Sequence, residues 1–137
     1  PPPPPPPSPY NILLVMKGIG YSSSCASPFA TWIEGTDPCS WSGITCNSSS
    51  SSSSANDNNS SNNNNYATGA DSVIAIDLSN RCLTGTLPAT TMSFFTFLQA
   101  LDLHGNQLSG SLPAAFSTLT ALTLLDLGSN AFSGSLP

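Results

Sequence analysis

Apolar residues in the second half of the chain return with a fixed period. Three stretches superpose, "VIAIDLSNRCLTGTLP", "LQALDLHGNQLSGSLP" and "LTLLDLGSNAFSGSLP", and their Leu78, Leu103 and Leu127 fall 25 and then 24 residues apart, as do Gly85, Gly110 and Gly134. Self-similarity at such a period marks a stack of supersecondary units. In each unit two apolar residues flank an aspartate (Ile76 and Leu78, Leu101 and Leu103, Leu125 and Leu127), the period-two signature of a half-buried strand. The pattern predicts one short parallel strand per unit, near 75–79, 100–104 and 124–128. Asn106 and Asn130 follow three residues later, where a short amide can bond the backbone as the chain turns. Arg81 holds that place in the first unit, so its turn must be satisfied differently. The glycines supply a permissive backbone position, and Leu-Pro pairs at Leu87, Leu112 and Leu136 begin the return path. On that path Pro113, Phe116, Leu119 and Leu122 keep apolar side chains toward the axis. The expected architecture is an α/β solenoid.

The first half has a different pattern. Seven prolines open the chain; proline fixes φ and donates no backbone hydrogen bond, so the run predicts an extended polyproline II rod of about 3 Å per residue, serving as spacer, ligand or carrier of sugar. The apolar run "NILLVMKGIG" follows, interrupted by Lys17 and far shorter than the ~20 residues that span a bilayer, so no membrane segment is expected. Prolines stand where a secretory signal would carry its basic region, so the chain reads as a mature product or an internal segment.

Two basic residues, Lys17 and Arg81, stand against seven acidic ones for a net charge of −5, and only 7% of residues are charged. No basic patch can be built from two cations, which excludes nucleic acid and anionic membrane as partners. Serine, threonine, asparagine and glycine fill the surface positions instead, a composition suited to a sugar-coated or wall-embedded protein. Cys25, Cys39, Cys46 and Cys82 can pair in three ways. Zinc is disfavoured because no Cys-x-x-Cys exists and His104 is the single histidine; disulfides in an oxidising compartment are favoured over buried thiols.

The three units resemble the plant-type leucine-rich repeat, L-x-x-L-x-L-x-x-N-x-L-x-G-x-I/L-P. Upstream, "NILLVMKGIG" and "ATWIEGTDPCSWSGITC" look like the amino-terminal cap of the same family: an amphipathic helix, a Trp-containing link and an Asp-Pro-Cys-x-Trp-x-Gly-x-x-Cys clasp. The resemblance implies a short right-handed coil with a disulfide-clasped cap. It further implies a clasp between Cys39 and Cys46 and a tie between Cys25 and Cys82 that binds the cap to the first repeat. Trp32 and Trp41 then cover the apolar cross-section that a solenoid's first coil would otherwise expose, and a sugar-stacking role for them is the weaker alternative. The chain divides into a polyproline II tract at 1–9, a cap at 10–46, a Ser/Asn-rich loop at 47–72 and three repeats at 73–137, the last incomplete.

The loop has almost nothing to bury. It carries N-glycosylation sequons at Asn47, Asn58 and Asn59, and the contiguous prolines Pro1, Pro2, Pro3, Pro4, Pro5, Pro6, Pro7 and Pro9 are candidates for O-glycosylation after hydroxylation. No catalytic constellation is present: Gly-x-Ser-x-Gly and Gly-x-Gly-x-x-Gly are absent, and one histidine leaves few ways to build a base with an orienting partner. An enzyme is not expected, nor is a cofactor. Asp77, Asp102 and Asp126 occupy one strand position in successive coils and should form an outward column about 4.8 Å apart, with His104 beside it on the concave face. Calcium or a basic partner is one reading of this column; aspartates hydrogen-bonding along the row is the plainer one.

Two functions follow as expectations. The first is a secreted, non-enzymatic structural protein of a cell wall or matrix, similar to leucine-rich-repeat extensins of plants and green algae, with protein or wall polysaccharide as partner. In that arrangement the proline-rich part usually follows the repeats, whereas here it precedes them. If the chain ends at Pro137, the apolar cross-section of Leu125, Leu127, Phe132 and Leu136 calls for head-to-tail self-assembly into a filament; a fragment of a longer protein is the alternative. The second function is a ligand-binding receptor ectodomain, or a small inhibitor of a wall-degrading enzyme.

Overall fold

A computed structural model describes residues 2, 13, 16–47, 73–88 and 95–134. Among the described residues eight strands form two four-stranded sheets. In chain order they are β1 (Gly20–Tyr21), β2 (Ile44–Cys46), β3 (Val73–Asp77), β4 (Leu83–Thr86), β5 (Ala100–Asp102), β6 (Gln107–Ser111), β7 (Leu124–Asp126) and β8 (Ala131–Ser133). The sheet β2-β3-β5-β7 holds the strands expected from the L-x-L pattern, and β3, β5 and β7 pair parallel in register: Ile76 with Leu101, Leu101 with Leu125, Asp77 with Asp102 and Asp102 with Asp126. Each strand ends at its aspartate, two residues short of the expected bound. The aspartate is the reason: its Oδ1 accepts a hydrogen bond from the backbone N–H two residues on and bends the chain there.

The second sheet, β1-β4-β6-β8, was not expected: β4, β6 and β8 form between the turn position of each unit and its Leu-Pro pair, where the pattern predicts only a turn and a permissive glycine. Its strands begin beside the asparagines. Asn106 is buried and its Oδ1 accepts from the N–H groups of Arg81 and Leu83 in the preceding coil, while its Nδ2 donates to the carbonyls of Leu78 and Leu103. Asn130 repeats the device one coil later, joining Leu108 N–H to the Leu103 and Leu127 carbonyls. Each amide thus satisfies turn groups of two successive coils, and this holds the coils in register. The first turn, which carries Arg81 in place of asparagine, is tied to the cap by the guanidinium donating to Ser42 Oγ at 3.3 Å.

Both sheets are closed at the amino-terminal side by antiparallel strands of the cap, β2 on β3 and β1 on β4. Behind them Leu13 and Met16, both helical and three residues apart, are fully buried; positions 11, 12, 14 and 15 of the expected cap helix lie outside the described residues, and Lys17, Gly18 and Ile19 leave it as a turn that runs into β1 at Gly20. Trp32 and Trp41 stack at 5.3 Å between ring centroids and are 0% and 2% exposed, so they are core and present no face to a sugar. Their indoles are satisfied, Trp32 Nε1 donating to the Ser42 carbonyl and Trp41 Nε1 to Thr36 Oγ1. Asp37 caps the 3-10 turn Pro38–Ser40 by accepting from Cys39 N–H, with proline at the position where an amide would be unsatisfied. Gly43, at φ +86°, admits the Asp77 carbonyl against its Cα, where any side chain would collide.

The disulfides are Cys39–Cys46 and Cys25–Cys82, the pairing implied by the resemblance. The core runs from the cap through Ile76, Leu78, Leu83, Leu101, Leu103 and Leu108 to Phe116 and Leu119 of the return path, each of these apolar side chains contributing about 1.5–3 kcal/mol by burial. Among the described residues no helix is long and apolar enough to cross a membrane.

Candidate functional site

The outward face of the β2-β3-β5-β7 sheet is built by register. Strand pairing places Thr45, Ala75, Ala100 and Leu124 in one row and Asp77, Asp102 and Asp126 in the next. Inward neighbours Ile76 and Leu101 are buried, so the alternation along each strand forces both rows to the surface. Leu124 is 51% exposed, and the acidic row is exposed at Asp77 and Asp126 and half-buried at Asp102.

The carboxylates do not bond along the row. Each turns one oxygen back on its own strand end: Asp77 Oδ1 accepts from both N–H and Oγ–H of Ser79, Asp102 Oδ1 from His104 N–H, and Asp126 Oδ1 from Gly128 N–H. This corrects the expectation of a hydrogen-bonded ladder of aspartates, and the reason is local: an aspartate two residues before a turn amide reaches it more easily than it reaches a like charge on the next strand. Asp77 is held below the ordinary carboxylate range, first by the Ser79 hydroxyl, then by the Ser79 amide; partial burial opposes the shift, and the Arg81 charge adds a smaller lowering.

A side-chain contact between coils on this face joins His104 Nδ1 to Asp126 Oδ1 at 3.5 Å, with both side chains about half exposed. Gly128 makes room for it, since a Cβ there would stand 3.1 Å from each of those two atoms. Among the described residues no group of three His, Cys, Asp or Glu side chains is placed to hold a metal ion, so the calcium reading of the column has no geometric support. Asp77, Asp102, His104 and Asp126 are therefore brought together as a surface. Ser79 and Gly128 were missed in the sequence, although Asp-x-Ser and Asp-x-Gly at a strand end are recognisable turn chemistry. Asn47 is exposed at the end of β2, and Pro2 is exposed; Asn58, Asn59 and the prolines Pro1, Pro3, Pro4, Pro5, Pro6, Pro7 and Pro9 lie outside the described residues.

A capped stack of parallel strands with an asparagine at each turn and a second sheet behind it defines a plant-type leucine-rich-repeat solenoid. Residues 12–47 match the family described as Leucine rich repeat N-terminal domain, and residues 97–119 match Leucine Rich Repeat. The chain is 34% identical over 113 residues to Receptor-like protein kinase 7 of Arabidopsis thaliana, which covers 81% of this chain and 9% of that protein. It is 37% identical over 97 residues to Receptor-like protein 3 of the same plant, covering 71% of this chain and 10% of the relative. The chain thus spans about a tenth of the length of these relatives. Among solved structures it is similar to PEPR1 in its complex with AtPEP1 (TM-score 0.67, 26% identity, 93% of this chain and 15% of that one). It is also similar to the ectodomain of the Arabidopsis receptor kinase HAESA in complex with an IDA peptide hormone ligand (TM-score 0.62, 28% identity, 93% and 18%).

Proposed function

We propose that this chain is the cap and first repeats of an extracellular, non-enzymatic plant-type ectodomain, and that it binds a peptide or protein segment on the outward face of the β2-β3-β5-β7 sheet. The observation that carries the reading is the register itself, which sets a row of small and apolar side chains (Ala75, Ala100, Leu124) beside a row of carboxylates (Asp77, Asp102, Asp126). A ligand fitted to those rows carries apolar side chains flanked by basic ones. The relatives support it: the receptor-like proteins are similar over most of the chain, and PEPR1, whose structure holds AtPEP1, and HAESA, whose structure holds a peptide hormone ligand, share the fold over almost the whole chain.

The comparisons favour this second expectation over the wall-assembly protein. The latter rests on the proline tract, of which only Pro2 is among the described residues, and its filament needs the last coil to meet a matching apolar surface. The amino-terminal cross-section of a neighbour offers none, because Leu13, Met16, Trp32 and Trp41 already fill it. N-linked sugar at Asn47, Asn58 or Asn59 and an extracellular location agree with the ectodomain reading.

The test is a panel of labelled synthetic peptides, matched in length and apolar content and differing in charge, titrated by fluorescence anisotropy. Basic peptides should bind with an affinity that falls as salt rises, and Leu124→Arg should weaken them roughly tenfold or more by placing a like charge on the face. Binding that is indifferent to peptide charge and to Leu124→Arg would overturn the proposal.

A further inference from the structure

The Cys25–Cys82 disulfide differs from its partner in its surroundings. All four cysteines are partly buried; what sets Cys25 and Cys82 apart is that, with Ala26, Ser27, Pro28, Asn80 and Arg81, they line an open pocket at the junction of cap and first repeat. Arg81 is the single guanidinium of the chain. Among the described residues its side chain donates one hydrogen bond, to Ser42 Oγ, from a group with five N–H donors, which leaves donors for a ligand. Cys82 itself sits at φ +58°, a left-handed conformation that a non-glycine residue seldom adopts. The Cys39–Cys46 bridge has the opposite setting: the carboxylate of Asp37 accepts from Cys39 N–H, and Cys46 packs against the hydrophobic core.

Thiol–disulfide exchange begins with a thiolate attacking one sulfur of the bridge and expelling the other as a thiolate. Positive charge beside the bridge helps both events, and negative charge opposes them. We propose that Cys25–Cys82 is a thiol-exchange site selective for anionic thiols, meaning small thiols that also carry carboxylate groups, with Arg81 as the group that recognises the carboxylate. The attacking thiolate forms a mixed disulfide with one cysteine, and the other leaves as a thiolate in the field of Arg81. A second molecule of the same thiol then attacks the mixed disulfide, freeing the second cysteine and departing as the oxidised thiol dimer, so two electrons pass from two thiols to the bridge. Opening the bridge removes the covalent tie of β1, a strand of two exposed residues held to β4 otherwise by its short pairing and by Ser22 N–H donating to the Cys82 carbonyl. The mixed disulfide is thus a modification that loosens the cap.

The net charge of −5 makes the selectivity diagnostic, because the field of the whole molecule repels anionic thiols and only the local guanidinium attracts them. The experiment exposes the intact chain to glutathione, 2-mercaptoethanol or cysteamine, compared at equal thiolate concentration. Aliquots are alkylated at intervals and mapped by mass spectrometry after peptic digestion. Rates are normalised to a small-molecule disulfide to remove intrinsic nucleophilicity. Cys25–Cys82 should open before Cys39–Cys46, glutathione should outpace cysteamine roughly tenfold at that bridge, and a glutathionylated intermediate should appear at Cys25 or Cys82. Arg81→Gln should abolish the tenfold preference and Arg81→Lys should retain most of it. Should either variant fail to fold, the charge series on the unaltered chain decides alone. Equal opening of the two bridges, or the cationic thiol reacting as fast as the anionic one, would overturn the proposal.

Discussion

Asn106 shows how much one side chain can carry in a stack of coils. Its Oδ1 takes two backbone N–H groups and its Nδ2 serves the carbonyls of Leu78 and Leu103, with His104 O at a longer 3.4 Å, all at 7% exposure. Truncation to alanine strands these groups where water cannot replace the amide, and an unsatisfied buried polar group costs about 1–3 kcal/mol. Asn106→Ala should therefore lower the unfolding free energy by roughly 2–4 kcal/mol in urea titrations. Asn130→Ala should cost about half as much, since Asn130 is only partly buried and one of its bonds faces solvent. Equal losses at the two positions would show that burial does not set the cost. The sequence announced both asparagines by their spacing from Leu103 and Leu127. It could not show that Arg81, at the same place in the first unit, reaches sideways to Ser42, because that contact spans 39 residues and crosses from repeat to cap.

Elements were legible in proportion to how locally their pattern is written. The strands β3, β5 and β7 follow from apolar alternation and from the repeat, and their parallel pairing follows from the single strand expected per unit. The sheet β1-β4-β6-β8 was not legible. Its strands, such as Leu-Thr-Gly-Thr and Gln-Leu-Ser-Gly-Ser, carry glycine at positive φ and one buried leucine each, a composition that reads as turn. Their partners lie one coil away, and only stacking supplies the missing hydrogen bonds. The two disulfides make an element-scale prediction, because Cys25–Cys82 closes a separation of 57 residues and Cys39–Cys46 one of only 7. On the chain-entropy account the longer loop is worth about 4 kcal/mol and the shorter about 2 kcal/mol. Replacing Cys25 and Cys82 by serine should lower the urea midpoint about twice as far as replacing Cys39 and Cys46. A larger effect at the short clasp would mean that it fixes the Trp32–Trp41 stack rather than merely shortening the unfolded chain.

At the scale of the whole molecule, a solenoid is a one-dimensional array in which each coil is stabilised by its neighbours. The cap and the first two coils lie inside that array: Leu78, Leu83, Leu101 and Leu103 are fully buried between coils. The third described coil has a neighbour on one side only, so Leu125, which is in register with the fully buried Leu101, is 40% exposed, and Leu127 and Phe132 are half-buried. Protection against amide exchange should follow this gradient, since opening a terminal coil breaks one interface and opening an inner coil breaks two. The amide of Leu78, donated to the Asp102 carbonyl, bonds the first coil to the second, whereas the amides of Leu103 and Leu124, donated to the Asp126 and Gln99 carbonyls, both bridge the second coil and the third. Hydrogen exchange followed by NMR should therefore give slow exchange at Leu78 and faster, similar exchange at Leu103 and Leu124, whose bonds are lost together when the third coil opens. Adding a further repeat after Pro137 should slow Leu124 roughly tenfold or more while leaving Leu78 unchanged, because an added interface of even 1.4 kcal/mol is a factor of ten in an opening equilibrium. Uniform protection across the three coils would instead mean that the stack opens as one cooperative body, with the exposed face of Leu125 contributing nothing to where unfolding starts.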